Sequence, residues 1–406
     1  MTSHPMAGTN STTPGMGLVV AILVFASSTS IMSTDMYAPS LPDLATWFDT
    51  SPTRIKLTIS LNMLAFGLAQ LLHGPLSDRF GRRPVLLVSL FAVAVLSVAC
   101  SLAQTIDQLI VARILLGIAA AAEAVVGLAI LKDLYSESQL VKALALLGMV
   151  IAIAPAIGPI LGGYLHVAFG WQSNFYVISG MALLALGFAA WKLPESTTPD
   201  ATALNPVNVI AGYRRLLTNS DFMVHSIMLG VGLGLIFVFV TAAPFVLIDW
   251  LGVPVEKFGY YQASIVVAFF FGSLLASRLA DHWPAMRLLV LGTIMIAVGA
   301  LVLVFIILLD LLSPVRLALP YMLMTFGMGQ LFAVAPSRAL RSIRGQAGTA
   351  SALLSGIEQT MAACAAVAVS ILHDGTARPM AWITIALAIL LLWLLQKSRH
   401  SGRVSL

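Results

Sequence analysis

Two ionisable residues lie inside a long apolar segment, LIVARILLGIAAAAEAVVGLAIL at residues 109–131. Arg113 and Glu123 are its only charged residues, and every other position is apolar or glycine. A helix of about 20 such residues crosses a bilayer, and a charge at the bilayer centre costs roughly 2.5–3.5 kcal/mol on insertion scales. Such residues usually face a cavity or a partner, and a carboxyl group among them can bind and release a proton when water access changes.

Three carboxylic acids are candidates for this proton chemistry. Asp35, at the outer end of the first apolar segment, lies at about the same predicted depth as Arg113. Glu123 is about 15 Å deeper than Arg113 and is turned from it by roughly 80°, so the two cannot touch. Glu358, in SGIEQTMAA, is the candidate in the second half of the chain. For Glu123, a snorkelling or hydrogen-bonded structural role is the alternative interpretation.

The composition shows which elements must position these residues. Hydrophobic residues make up 59% of the chain and charged residues 10%, and the mean hydropathy is +0.96. Soluble domains carry about 25% charged residues, so this chain is predicted to be an all-α polytopic membrane protein. The boundaries of apolar runs predict twelve spans, at residues 17–39, 57–75, 83–102, 109–131, 143–165, 174–193, 222–248, 261–280, 287–311, 315–336, 347–371 and 378–395.

The longest connection divides these spans into two groups of six. The predicted organisation is a disordered cytoplasmic tail at residues 1–16, a first half at 17–193, a cytoplasmic linker at 194–220, a second half at 221–396 and a cytoplasmic tail at 397–406. The start of the chain contains no Lys or Arg, so it lacks the charged region of a cleavable signal peptide.

The distribution of basic residues predicts the orientation. With both termini inside, sixteen Lys and Arg residues fall on the inner side and five on the outer side, as expected for loops retained in the cytoplasm. The predicted location is the cytoplasmic (inner) membrane of a bacterium. Basic residues scattered singly over loops do not indicate nucleic-acid binding.

Enzymatic chemistry has no recognisable motif in this sequence. Cys100 and Cys364 lack the spacing of a metal or disulfide pair, and the seven His are dispersed. We therefore expect no catalytic residue, no metal and no cofactor.

The connection between spans two and three, HGPLSDRFGRRPVLL, is the most informative short stretch. Gly74 allows close helix approach, and Gly81 allows a tight reversal. The stretch resembles the G-x-L-a-D-r-x-G-r-r-p loop of the major facilitator superfamily. The resemblance implies that the residues of this loop gate the cytoplasmic side of the transporter. These residues are Gly74, Asp78, Arg79, Gly81, Arg82 and Arg83. The alternative is a basic loop that only sets topology.

A partial copy of this loop, SRLADHWPAMRLLVL, occurs in the second half. Leu279 and Asp281 match Leu76 and Asp78. The copy supports duplication, and two repeated six-helix halves predict a binding site at their interface that opens alternately to each side.

Span five contains APAIGPILGG. Ala154, Gly158 and Gly162, at four-residue spacing, form a groove that another helix can enter. The stretch is similar to the g-x-x-x-G-P-x-x-G-G motif of drug:H+ antiporters, with Ala154 in place of the first glycine, and this resemblance favours export. The corresponding residues are Pro155, Gly158, Pro159, Gly162 and Gly163, and ordinary close packing is the alternative.

The sequence STDMYAPSLPDLA is similar to the T-D-M-Y-x-P-x-L-P stretch of the bicyclomycin and chloramphenicol resistance subfamily. One departure is RILLG, in which Leu116 replaces the glutamine of R-x-x-Q-G. In the family fold the first and fourth spans line a central cavity, which implies an Asp35–Arg113 pair.

The resulting prediction is an exporter of lipophilic drugs or antibiotics, driven by proton exchange and functioning as a monomer. Candidate cavity residues are Tyr37, Phe237, Phe239 and Gln330, with packing as the alternative for the phenylalanines. A proton-coupled metabolite transporter, such as a sugar or amino acid exporter or an uptake symporter, is the second interpretation. A membrane receptor or scaffold is disfavoured by the intramembrane charges and by the lack of a sizeable extramembrane domain.

Overall fold

The computed structural model describes residues 16–201, 203–204, 206–341 and 347–404, and this part of the chain forms helices and no strands. The first half contains α1 (Met16–Asp35), a 3₁₀ turn (Ala38–Ser40), α2 (Leu41–Trp47), α3 (Pro52–Phe80), α4 (Arg82–Ser101), α5 (Ile106–Leu134), α6 (Glu137–Phe169) and α7 (Gln172–Lys192). A short helix, α8 (Pro206–Leu217), lies in the connection between the halves.

The second half repeats this series of long helices. It contains α9 (Ser220–Pro244), a π-helical segment (Phe245–Trp250), α10 (Val255–Leu279), α11 (Ala285–Leu308), α12 (Pro314–Arg341), α13 (Ala347–Ile371) and α14 (Arg378–Val404). The loops that follow α2, α4, α6, α11 and α13 lie at one end of the helices. We call it the outer end, following the orientation predicted from the basic residues.

Each of the twelve predicted spans falls on one long helix, with ends that differ by a few residues. In the described part of the chain, eleven helices are long and apolar enough to cross a membrane, and Ile153–Phe169 of α6 is a shorter apolar stretch. The last helix, α14, continues to Val404 and therefore includes most of the predicted tail at 397–406. The predicted tail at 1–16 lies outside the described residues except for Met16, which begins α1.

The two halves share one packing pattern. In the first half, α1 packs against α5, α6 and α7, and α4 packs against α5 and α7. In the second half, α9 packs against α12, α13 and α14, and α11 packs against α12 and α14. These are the corresponding pairs after a shift of six spans, so the duplication indicated by the repeated loop extends to the architecture.

The halves meet along two helix pairs, α3 with α13 and α6 with α10. The α3–α13 seam descends from the outer end through a hydrogen bond between Ser60 and Ser370, 3.0 Å long. Farther in, a side chain at Gly67 would lie 3.0 Å from the Gln359 side chain. Such close approach places the polar groups of each half within reach of the other.

Candidate transport site

Asp35 lies at the interface between the halves, where α1 ends. Its carboxylate is buried and accepts a hydrogen bond of 3.2 Å from the side-chain amide of Gln262, on α10 of the opposite half. A Cβ atom at Gly158 of α6 would lie 3.1 Å from the Cβ of Asp35. The acid is thus enclosed by three helices from both halves.

A central cavity of about 100 Å³ opens beside Asp35. Its lining combines hydroxyl, amide and apolar side chains from α1, α3, α5, α9 and α13: Ser30, Ile31, Ser33, Thr34, Asp35, Asn62, Met63, Phe66, Ala120, Phe237 and Gln359. Because α9 and α13 belong to the second half, movement of the halves would change the shape of this cavity.

Arg113 does not form the predicted ion pair with Asp35. Its guanidinium donates to the backbone carbonyl of Ser33 at 2.8 Å, and its carbon lies 5.0 Å from the centre of the Tyr37 ring. Ser33 is in the last turn of α1, where carbonyl groups lack helical partners and favour a cation. Arg113 therefore satisfies the end of α1, while Asp35 is directed to α10.

Glu123 binds inside the first half; it is not among the residues that line the central cavity, but it contacts the backbone of one of them, Ser30. Its carboxylate accepts a hydrogen bond of 2.9 Å from the Thr29 hydroxyl of α1, and the residue is 1% exposed. The structure therefore joins Glu123 to α1 and gives it no contact with Arg113 among the described residues.

Glu358 lies on α13, next to the cavity residue Gln359. It is partly buried, and no hydrogen bond or ion pair to its carboxylate occurs within the described ranges. It is thus the candidate acid of the second half, close to the cavity but not among the residues that line it.

Of the four predicted cavity residues, Phe237 alone lines the central cavity. Tyr37 is buried within the first half, with its hydroxyl 3.1 Å from that of Thr58. Phe239 packs on the ring of Tyr321, and the Gln330 amide donates to the Gly272 carbonyl at 2.8 Å. These three side chains face helix contacts within a single half and do not line this cavity, so their role in substrate binding stays a prediction.

The glycines of α6 form the groove predicted from their spacing. A Cβ atom at Gly162 would lie 2.0 Å from the Met36 carbonyl oxygen, and one at Gly163 would lie 2.8 Å from that of Val255. Gly162 thus accepts the end of α1, and Gly163 accepts the start of α10. With Pro155 and Pro159 in the same helix, α6 bridges the two halves on the outer side of Asp35.

The predicted gating stretch is mostly helical. Gly74, Asp78 and Arg79 belong to α3, and the reversal is confined to Gly81, whose φ is +97°. Arg82 contacts Asp78 at 2.5 Å and Asp133, at the end of α5, at 3.2 Å.

The start of the linker encloses this cluster. The Glu195 carboxylate accepts hydrogen bonds from the backbone amides of Arg82 and Arg83, at 3.0 and 3.2 Å. Arg83 donates to the Ala190 carbonyl at 2.6 Å, and Arg79 donates to that of Ala201. The basic residues therefore join the inner ends of the helices of the first half to the connection between the halves.

Sequence reasoning missed four polar residues of the interface. Gln262 and Asn62 lie in helices where no motif marks them, and Asn62 donates to the Arg113 carbonyl at 2.6 Å. Lys56 and His373 pair across the outer end of the seam at 2.9 Å. The spacing of Lys56, Ser60 and Gly67 along one face of α3 is the signal that could have revealed the seam.

The fold and this site define a transporter of the major facilitator superfamily. The model of the Major Facilitator Superfamily matches residues 23–367, and the chain belongs to this family. Among solved structures, a bacterial homolog of the human lysosomal transporter Spinster, inward-facing and unoccupied, has a TM-score of 0.75 at 14% identity, covering 97% of this chain and 98% of that one. A D-xylose-proton symporter has a TM-score of 0.72 at 15% identity, covering 93% and 97%. These two likenesses concern the fold alone.

The relatives found by sequence similarity indicate a particular subfamily within this superfamily. The chain is 30% identical to a chloramphenicol resistance protein of Pseudomonas aeruginosa, over 91% of this chain and 87% of the relative. It is also 30% identical to a bicyclomycin resistance protein homolog of Haemophilus influenzae, over 85% and 87%. The resemblance to this subfamily, predicted from short motifs, is confirmed. The chain is a multi-pass membrane protein from a family of transporters.

Proposed function

We propose that this protein exports lipophilic drugs or antibiotics in exchange for protons, by alternating access. The observation that carries the proposal is the position of Asp35: an acid at the interface, lining the central cavity and hydrogen-bonded across the halves. Protonation there changes both the charge of the cavity and the bond that joins the halves. The names of the relatives support drugs as the substrate class.

The chemistry of the cavity lining suits such substrates, although the volume of about 100 Å³ must increase to admit one. Phe66, Phe237 and Met63 offer apolar contact, while Asn62 and Thr34 offer hydrogen bonds. Apolar walls with a few polar groups are typical of sites for small organic ligands. Because Asp35 is the one acid among the lining residues, competition between substrate and proton at this residue provides the exchange.

The proposal includes the remaining features of the transporter. The proton gradient is its energy source, so it needs no cofactor and is not an enzyme; its partners are small lipophilic substrates, protons and the lipid bilayer. It works as a monomer in the bacterial inner membrane with both termini in the cytoplasm, and it binds no nucleic acid.

Reporter fusions after Ser220 and at the C-terminus test this orientation. Reporters that function only in the cytoplasm should be active at both positions, and reporters that function only in the periplasm should be inactive.

Asp35→Asn tests the coupling. The amide cannot titrate, so the variant should lose gradient-driven export in vesicles while downhill substrate movement persists. Asp49→Asn is the matched control, because Asp49 is exposed in an outer loop and its φ of 45° suits asparagine. Full gradient-driven export by Asp35→Asn would exclude Asp35 as the main proton carrier and direct attention to Glu123 and Glu358.

Drug export is tested separately, by expression in an efflux-deficient bacterium exposed to a broad panel of antibiotics and dyes. We expect resistance to several lipophilic compounds, lost in Asp35→Asn. Altered growth on a single nutrient without any resistance would contradict drug export and support a metabolite transporter.

A further inference from the structure

Lys56 and His373 form a polar contact between the halves at the outer end of the α3–α13 seam. Lys56 lies near the start of α3, five residues into the helix, and is 2% exposed. Its Nζ atom lies 2.9 Å from Nδ1 of His373, in the loop between α13 and α14, and 4.6 Å from the centre of the Phe245 ring. His373 lies parallel to the Trp250 ring, with centroids 6.2 Å apart. An ammonium group from one half is thus held by an imidazole and an aromatic face from the other.

This contact requires one protonation state of His373. A lysine ammonium has three donors and no acceptor, so Nδ1 must carry a free lone pair. A protonated imidazole has donors on both nitrogens. It would also place a second positive charge beside Lys56. Proton binding at His373 and closure of this contact therefore exclude each other.

We propose that His373 is a proton-binding site that opens the outer side of the transporter when the external medium is acidic. A proton arriving from outside converts the contact with Lys56 into repulsion between two cations. The halves then separate at their outer end and expose the central cavity on the side from which protons enter. The device rests on the alternating access of the proposed function, but it concerns conformation and needs no particular substrate.

The surroundings of His373 support this assignment. Burial and the nearby Lys56 lower the pKa of the imidazole, whereas Asp374 opposes the shift. A hydrogen bond from Thr376 lowers the pKa of the Asp374 carboxyl, so this acid stays ionised where His373 titrates. Asp249, in the π-helical segment, is the other acid that faces Lys56.

The direction of the pH effect follows from linkage. With Lys56 close by, His373 binds a proton less readily than it does once the halves separate, so protons favour the open state. The closed contact is fully stabilising above the ordinary histidine pKa of about 6.5. Its stabilisation declines as the pH falls from there through the lowered pKa of His373. For a single proton, the open-to-closed ratio rises at most tenfold for each pH unit.

The test is a distance measurement in the purified protein without substrate. Spin labels on cysteines introduced at Gln104, in an outer loop of the first half, and at Arg378, the first residue of α14, report the separation of the outer ends of the halves. Both residues are exposed, and a Cys364→Ser background removes the exposed native thiol. We expect the fraction of molecules with the longer label-to-label distance, which corresponds to the open outer end, to increase as the pH falls from 8 to 5. His373→Asn, whose amide oxygen can still accept from Lys56, should stay closed, and His373→Arg should be open at every pH.

His166→Asn is the matched control, because His166 binds Asp43 at 2.5 Å within the first half and bridges no interface. This variant should keep the full pH response. A wild-type protein without a pH response, or a His373→Asn variant with an unchanged response, would overturn the proposal. Because the readout is a distance, failure of drug export would leave the result interpretable.

Discussion

The side-chain amide of Gln262 donates a hydrogen bond of 3.2 Å to the carboxylate of Asp35, and this bond joins the two halves. An amide carries donors and an acceptor, so Gln262 can serve both protonation states of the acid. Its Oε1 atom is buried and lacks a partner among the described residues, and a protonated Asp35 could donate to it. Uptake of one proton therefore reverses the direction of one bond across the interface.

Removing this amide should weaken coupling. We expect Gln262→Met to reduce gradient-driven export about tenfold or more, because a hydrogen bond to a charged group contributes roughly 1.5–3 kcal/mol and each 1.4 kcal/mol is a factor of ten in a rate. Transport in vesicles with an imposed pH gradient is the measurement. Gln104→Met, in an exposed outer loop, should transport normally, and normal transport by Gln262→Met would show that the bond has no role.

The fit of α1 into α6 gives a second prediction. Gly162→Ala should lower the thermal unfolding midpoint and abolish transport, because its methyl carbon would lie 2.0 Å from the Met36 carbonyl oxygen. Overpacking of this kind typically costs 1–3 kcal/mol. Gly180→Ala, also within a helix but with no atom near its Cβ position, should be neutral. Equal behaviour of the two variants would contradict the close approach of α1 and α6.

The equivalent turns that follow α3 and α10, at the inner ends of the two halves, should differ in their importance for transport. Asp78 contacts Arg82 at 2.5 Å, whereas the equivalent Asp281 has no ion pair within the described residues. We expect Asp78→Asn to reduce transport severalfold with substrate binding retained, and Asp281→Asn to have little effect. Parallel measurements of equilibrium binding and vesicle transport would check this. Lost binding in Asp78→Asn, or equal transport defects in both variants, would contradict the gating role.

Much of the fold could be predicted from the sequence. Long apolar runs specify membrane crossings, and the repeat of Asp78 at Asp281 indicates two equivalent halves. The four-residue spacing of the glycines in α6 predicts a groove, because a helix face without side chains lets another helix approach closely whatever that helix is. These features depend on local sequence, so they can be predicted from the sequence alone.

The hydrogen-bond partners of the buried polar groups could not be predicted from the sequence in this way. Asp35 and Arg113 share a depth, yet depth does not specify direction, and the two side chains point to different helices. Arg113 is held by the Ser33 carbonyl and the Tyr37 ring, neither of which carries a charge that a sequence pattern would reveal. Gln262 and His373 belong to the opposite half, so their roles depend on how the halves pack.

The position of Arg113 leads to a prediction that separates the structure from the sequence-based pair. In a double-mutant cycle of Asp35→Asn and Arg113→Gln, the effects on the free energy of unfolding should add within about 0.5 kcal/mol, as for residues without shared contacts. The cycle of Tyr37→Leu and Arg113→Gln should instead show coupling of about 1 kcal/mol, in the range for a cation above an aromatic ring. Arg113→Gln alone should destabilise the protein by roughly 1–3 kcal/mol, because the Ser33 carbonyl loses its buried donor. Chemical unfolding in detergent of the three single variants and the two double variants gives both coupling energies. Strong coupling of Asp35 with Arg113 would contradict the structure and support the ion pair.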